Sequence, residues 1–168
     1  GDGKPEIIFN STHTGWSRWD PKFPLYVYLG NEHNEYSTDR RLALPTGHSN
    51  TYLVADLNQD GYADLACTSR LGLRIFYGGP EGLNPERYVD LPHKGHGFHY
   101  ILAADLNKDG WLDLVGIAMT HDSSAESLAT SSVIFYGSPD GFSLDSAQPL
   151  PTSARGNAML ADVNRDGW

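Results

Sequence analysis

The chain has 168 residues, of which 11% are aromatic, 18 are glycine and 10 are proline. Because it holds no alanine- or lysine-rich periodic stretch, this composition favours many short strands joined by tight turns over a helical bundle. The formal net charge of −9 excludes a nucleic-acid backbone and an anionic membrane surface as natural partners, since both would repel the chain.

The first unit of the chain covers about residues 1–50. It opens with Asp2 and Glu6, which occupy the last two acidic positions of a motif that recurs downstream. A long connection over about residues 10–23 leads to an apolar strand at 25–30. This unit therefore contains the end of one acidic motif and the strands that follow it.

The middle unit, about residues 51–99, contains the complete motif ADLNQDGYADL at 55–65 and the phrase LRIFYGGPEGL at 73–83. Glycine, proline, asparagine and aspartate in these phrases are the residues that tight turns use. The unit reads as four short strands at about 51–56, 64–69, 73–78 and 87–91, with the acidic loop between the first two.

The third unit, about residues 100–157, repeats both phrases as ADLNKDGWLDL at 104–114 and VIFYG at 133–137. A further copy, ADVNRDGW, begins a new unit at 158–168. Two phrases that recur in a fixed order indicate a repeat architecture.

Several predicted strands are apolar on both faces, among them residues 100–104 and 133–136. A sheet that lies between two neighbouring sheets requires this pattern. Four-stranded sheets that stack radially are the blades of a β-propeller. The predicted fold is therefore all-β, with residues 1–168 forming a single propeller segment of about three blades.

The loop Asp-x-Asn-x-Asp-Gly-x-x-Asp, followed by an apolar strand and a Tyr-Gly-x-x-x-Gly turn, resembles the FG-GAP/VCBS repeat of integrin α-subunit propellers and many secreted bacterial proteins. The resemblance covers essentially the whole chain and depends mainly on the acidic loop. It implies a propeller whose loops bind Ca²⁺. The first unit departs from the pattern, because residues 30–34 replace the glycine-bounded turn.

The oxygen-bearing side chains at positions 1, 3, 5 and 9 of the loop suit Ca²⁺, a hard cation that takes six to eight oxygen ligands. An EF-hand is a poor match, since it needs an acid at position 12, where these loops have Cys67 and Gly116. Acidic turns that bind nothing are the alternative. The predicted ligands, with backbone carbonyls at Tyr62 and Trp111, are Asp56, Asn58, Asp60, Tyr62 and Asp64 in one loop and Asp105, Asn107, Asp109, Trp111 and Asp113 in the next.

Two terminal half-motifs supply weaker candidates for the same ion. Asp2 and Glu6 would form one half of a site, and Asp162, Asn164 and Asp166 would form the other half of another.

A partner surface is expected on the rim opposite the acidic loops, because the connections between second and third strands vary most in length there. Its candidate contacts are Trp16, Trp19, His93, His96 and His99. Tryptophan stacks on sugar faces and anchors protein partners, so the expected partner is an extracellular carbohydrate or protein. The tryptophans could instead fold back to close their own loop.

No catalytic constellation stands out in the sequence, and the chain is expected not to be an enzyme. The alternative is the propeller of a secreted polysaccharide lyase or hydrolase, in which Trp16 and the histidines would line a cleft. A secreted or cell-surface location is expected, although the chain shows no signal peptide. No stretch suits membrane insertion. A homo-oligomer that completes the propeller ring is a further expectation.

Overall fold

The computed structural model of the chain describes residues 4–10, 23–47, 49–69, 71–93, 97–118, 132–150 and 158–165. These residues form eleven β-strands and one 3-10 turn, Thr38–Arg40. No helix of the described part is long and apolar enough to cross a bilayer. The all-β prediction is confirmed.

The first sheet is antiparallel, with the strand order β1-β2-β3. Its strands are β1 (Ile7–Phe9), β2 (Pro24–Tyr28) and β3 (Arg41–Pro45). In β2, Leu25 and Val27 are buried while the residues between them are partly exposed. This alternation shows that one face of the sheet packs against a neighbour.

The second sheet holds four antiparallel strands in chain order. Its strands are β4 (Tyr52–Ala55), β5 (Asp64–Ser69), β6 (Gly72–Phe76) and β7 (Tyr88–Pro92). Each lies within two residues of the strand that the repeat predicts. The sequence succeeds here because turn residues bound every strand on both sides.

The third sheet repeats this arrangement. Its strands are β8 (Phe98–Ala104), β9 (Asp113–Ala118), β10 (Ser132–Phe135) and β11 (Gln148–Leu150). The pairing of β8 with β9 shifts register between Phe98 and Tyr100. Three antiparallel sheets of three or four strands, met in chain order, are the blades that the sequence predicts.

The second sheet lies between the other two. From β5, Leu65 and Cys67 pack into a core with Leu25 and Leu44 of the first sheet. Ala66, the residue between them, packs on the opposite side into a core that includes Ile101 and Phe135 of the third sheet. Burial on both faces explains why the central strands are apolar throughout.

Arg74 of β6 links the first and second sheets. Its guanidinium forms a two-pronged ion pair with Asp90, with nitrogen to oxygen distances of 2.6 and 2.7 Å, and stacks 3.9 Å from the ring centroid of Tyr88. It also donates a hydrogen bond to the carbonyl oxygen of Pro45 in β3. A planar guanidinium suits such a paired and stacked position better than an ammonium group does.

Candidate metal loops

The loop between β4 and β5 is organised by the carboxylate of Asp56. Its Oδ1 accepts a hydrogen bond from the Asp60 amide at 3.1 Å, and its Oδ2 accepts one from the Gly61 amide at 2.9 Å. Gln59 and Gly61 adopt left-handed backbone angles, with φ of 56° and 86°. Glycine at the second of these positions avoids the strain that a side chain would bring.

The other two oxygen-bearing residues of this loop are also held by the backbone. Asn58 Oδ1 accepts from the Asp60 amide at 3.1 Å, and Asn58 Nδ2 donates to Asp60 Oδ2 at 2.9 Å. Asp60 Oδ1 accepts from the Tyr62 amide at 2.9 Å. Each side chain is therefore fixed, and each of these oxygens keeps a lone pair for another ligand.

The loop between β8 and β9 has the same bonds atom for atom. Asp105 accepts from the amides of Asp109 and Gly110 at 3.1 and 2.9 Å. Asn107 accepts from Asp109 at 3.0 Å, and Asp109 accepts from Trp111 at 2.8 Å. The left-handed residue is Lys108, with φ of 60°. The shared sequence thus encodes a shared three-dimensional loop.

The last acid of the first loop, Asp64, is fully buried. Its Oδ2 accepts from the Leu57 amide at 2.8 Å and its Oδ1 from the Gly78 amide at 2.7 Å. Burial raises the pKa of its carboxyl, two amide bonds lower it, and the charges of Asp60 and Asp56 raise it further. Through these two hydrogen bonds, Asp64 joins the acidic loop to the turn after β6.

The third sheet contains the same pair of hydrogen bonds. Asp113 is fully buried and accepts from the amides of Leu106 and Gly137 at 2.8 and 2.9 Å. The two phrases that recur in the sequence are therefore hydrogen-bonded to each other in both blades. The sequence pattern did not reveal this, because an acid at position 9 looks the same whether it binds an ion or backbone amides.

Neighbouring acidic loops also contact each other on one rim of the stack. Gln59 Nε2 donates to the Gly110 carbonyl oxygen at 2.7 Å, so the loop of the second sheet is joined to that of the third. Sequence reasoning missed this contact. A signal was available, since the left-handed position holds a long hydrogen-bond donor in the three copies at 55–65, 104–114 and 161–168, namely Gln59, Lys108 and Arg165.

The donor set of each loop fits a hard cation, because every side-chain donor presents oxygen and a partly buried carboxylate lies close in the chain to an exposed one. Within the described ranges, however, no three His, Cys, Asp or Glu side chains converge in an arrangement that could hold a metal ion. Asp64 is fully buried, with its oxygens held by the amides of Leu57 and Gly78, whereas Asp56 and Asp60 remain partly or fully exposed. The residues best suited to hold Ca²⁺ are therefore Asp56, Asn58 and Asp60, with their counterparts Asp105, Asn107 and Asp109.

The terminal half-motifs lie partly outside the described residues, which exclude Asp2 and Asp166. Glu6 is exposed, as are Asp162 and Asn164. Arg165 has a φ of 59°, close to the values at Gln59 and Lys108. The last copy therefore adopts the left-handed backbone at the same position.

The opposite rim contains two of the candidate partner contacts. His93 follows β7 at the end of the second sheet away from the acidic loop, where its amide donates to the Leu71 carbonyl oxygen at 2.6 Å. Its ring stacks on Phe98 with centroids 4.7 Å apart. His99 lies edge-on to Tyr100, at 4.6 Å. Trp16, Trp19 and His96 lie outside the described residues.

Comparison with known protein families matches residues 56–116 to the FG-GAP-like repeat. This segment runs from the first acidic loop to the middle of β9 and includes the second loop. Comparisons with curated proteins and with solved structures gave no match. The resemblance seen in the sequence is thereby confirmed over residues 56–116, which match the FG-GAP-like repeat.

Proposed function

We propose that this chain is a binding scaffold of propeller-type blades whose acidic loops bind Ca²⁺, and that it recognises a partner and performs no chemistry. The observation that carries the proposal is the identity of the two loops, in which the same oxygens are fixed by the same amides on one rim. Preorganised oxygens reduce the ordering that an ion would otherwise require.

The ion would act on stability. Asp56 and Asp60 carry like charges within a single turn, and their repulsion opposes folding until a divalent cation offsets it. Their charges also reach Asp64, whose pKa they raise. Ca²⁺ in the two complete loops would change the formal charge from −9 to −5, since −9 + 4 = −5. Calcium-binding modules of this kind often have Kd values of about 10⁻⁴ to 10⁻³ M, which suits a secreted or surface protein.

Calorimetric titration with Ca²⁺ tests the metal sites. Two bound ions per chain are expected for the unaltered protein, and one ion for Asp56→Asn or for Asp105→Asn. Asp140→Asn, which changes an exposed acid outside the loops, is the matched control and should keep two. Circular dichroism establishes that each variant is folded. Absence of binding heat at millimolar Ca²⁺ would overturn the proposal.

The partner side of the proposal concerns the rim opposite the acidic loops. His93 lies at this rim, and the end of β1 and the start of β2 lie at the corresponding end of the first sheet. We infer that an extracellular carbohydrate or protein binds there. A glycan array followed by product analysis tests the carbohydrate arm. Retained sugar without cleavage, lost in the Trp16→Ala, Trp19→Ala double variant, supports binding, whereas new chain ends would indicate a lyase or hydrolase.

A further inference from the structure

The acidic loops of the second and third sheets contact each other directly. Gln59 Nε2 donates a hydrogen bond to the Gly110 carbonyl oxygen at 2.7 Å, although the two residues are 51 positions apart in the chain. Leu57, in the same loop as Gln59, is 2% exposed and packs into the core that contains Leu114 of the third sheet. Leu112, which follows Gly110 by two residues, packs against this core as well. The two loops therefore share a polar contact and an apolar one.

Gln59 lies between two of the proposed Ca²⁺ ligands, Asn58 and Asp60. Asn58 Nδ2 donates to Asp60 Oδ2 at 2.9 Å, and Asn58 Oδ1 accepts from the Asp60 amide at 3.1 Å. The Gln59 backbone between them is left-handed, with φ of 56°. An ion held by both neighbours would restrict this backbone, and it would thereby restrict the direction of the Gln59 side chain.

Gly110 connects the bond from Gln59 to the ligands of its own loop. The Gly110 amide donates to Asp105 Oδ2 at 2.9 Å, and the amide of the preceding residue, Asp109, donates to Asp105 Oδ1 at 3.1 Å. Gly110 has a left-handed φ of 93°. Glycine has the largest backbone freedom of all residues, so a bond to its carbonyl oxygen removes motion that the loop would otherwise lose on binding an ion.

Charge does not oppose the occupation of both loops. Besides its buried acid, the loop of the second sheet has two carboxylates, Asp56 and Asp60, whose charge one divalent ion offsets, and the next loop has the equivalent pair. An occupied loop therefore repels an ion in its neighbour little, and salt screens exposed charges beyond about 8 Å at physiological ionic strength. The restriction of backbone motion then decides the sign of the coupling. It favours joint binding, because the second ion meets a loop that is ordered beforehand.

We propose that the hydrogen bond from Gln59 to Gly110 couples the two acidic loops, so that Ca²⁺ in either loop raises the affinity of the other. This inference rests on the proposed function of the loops as calcium sites. The effect is reciprocal, because a coupling free energy belongs to both sites. A single exposed hydrogen bond limits it to a roughly two- to tenfold change in affinity.

Titration with Ca²⁺, followed by the amide NMR signals of Gly61 and Gly110, measures the occupancy of each loop separately. For the unaltered chain both binding curves should have a Hill coefficient of about 1.2 to 1.5, which corresponds to two- to tenfold coupling of two sites. Gln59→Met keeps the length of the side chain but removes the donor, so its curves should have a Hill coefficient of about 1. Gln59→Lys is the matched control and should retain the steeper curves. It keeps a donor and suits the left-handed backbone, since Lys108 has a φ of 60° at the same position.

A double-mutant cycle separates the effect of this bond from that of charge. Asp105→Asn empties the loop of the third sheet and should raise the Ca²⁺ concentration at which the Gly61 signal is half-shifted. The rise should be smaller when Gln59→Met is also present, because only the effect of charge then remains. Equal rises in the two backgrounds, or two ions bound to the unaltered chain with a Hill coefficient of about 1, would overturn the coupling alone. Absence of any shift at millimolar Ca²⁺ would overturn the proposed function as well.

Discussion

The buried acid of each acidic loop connects the loop to the turn that follows the third strand of its sheet. Asp64 and Asp113 are fully buried, and each accepts two backbone amides from different turns. An amide at such a position would otherwise be left without a partner, which costs about 1–3 kcal/mol when the group is buried. These two acids therefore stabilise the blades whether or not an ion is bound.

Asp64→Asn tests this role. The asparagine amide group can accept at one oxygen only, so its NH₂ group would face the amide of Leu57 or Gly78. The expected loss is about 1–3 kcal/mol in the free energy of unfolding, measured by urea denaturation in EDTA. Asp140→Asn, at an exposed position, should change it by less than about 0.5 kcal/mol. Equal stabilities of the two variants would contradict the stabilising role of the Asp64 hydrogen bonds.

His93 makes the folding stability of the chain depend on pH. Burial lowers the pKa of its ring below the ordinary 6.5, and Nε2 is buried with no hydrogen-bond partner among the described residues. A lowered pKa means that the folded state prefers the neutral ring. The stability that this preference contributes is present above pH 6.5 and is lost as the pH falls from 6.5 through the folded-state pKa.

Urea denaturation between pH 7.5 and 5 measures this dependence. His93→Phe keeps a ring that can stack on Phe98, and it should lose less stability on acidification than the unaltered chain does. His33→Phe, at an exposed histidine, is the matched control and should retain the full pH dependence. An identical pH profile for His93→Phe and the unaltered chain would show that His93 does not carry it.

At the scale of elements, the sequence predicts the strands well, but it does not predict the hydrogen bonds that join the turns between them. The strands of the middle unit are bounded by turn residues, so the positions of β4 to β7 could be predicted from the sequence alone. The Asp64 to Gly78 bond spans 14 residues, and the Gln59 to Gly110 bond spans 51. Contacts between distant turns depend on how sheets stack, which a repeat motif does not specify.

Gly78, which lies two residues after β6, tests how closely the turn after β6 approaches the acidic loop. A Cβ at Gly78 would lie 2.3 Å from the Ala63 carbonyl oxygen, so Gly78→Ala must displace backbone. The expected cost is about 1–3 kcal/mol of unfolding free energy. At Gly79 the nearest atom would be the end of the flexible Arg87 side chain, at 3.5 Å, so Gly79→Ala is the matched control. A comparable cost at both positions, measured by urea denaturation, would refute the close approach.

At the scale of the whole molecule, three sheets share two cores, and the acidic loops of the second and third sheets meet on one rim. Repeat proteins of this kind gain stability from each repeat and from each contact between neighbours. An ion bound in one loop would therefore stabilise both its own sheet and, through the Gln59 to Gly110 bond, the next.

Thermal unfolding in Ca²⁺ and in EDTA tests this account most directly. At a Ca²⁺ concentration ten times Kd, each ion should add about 1.4 kcal/mol of stability. With two loops, Tm should rise by roughly 5–10 °C for a chain of this size. The Asp56→Asn, Asp105→Asn double variant should show little of this rise. Superimposable melting curves for the unaltered chain in Ca²⁺ and in EDTA would contradict the proposal that the acidic loops are calcium sites.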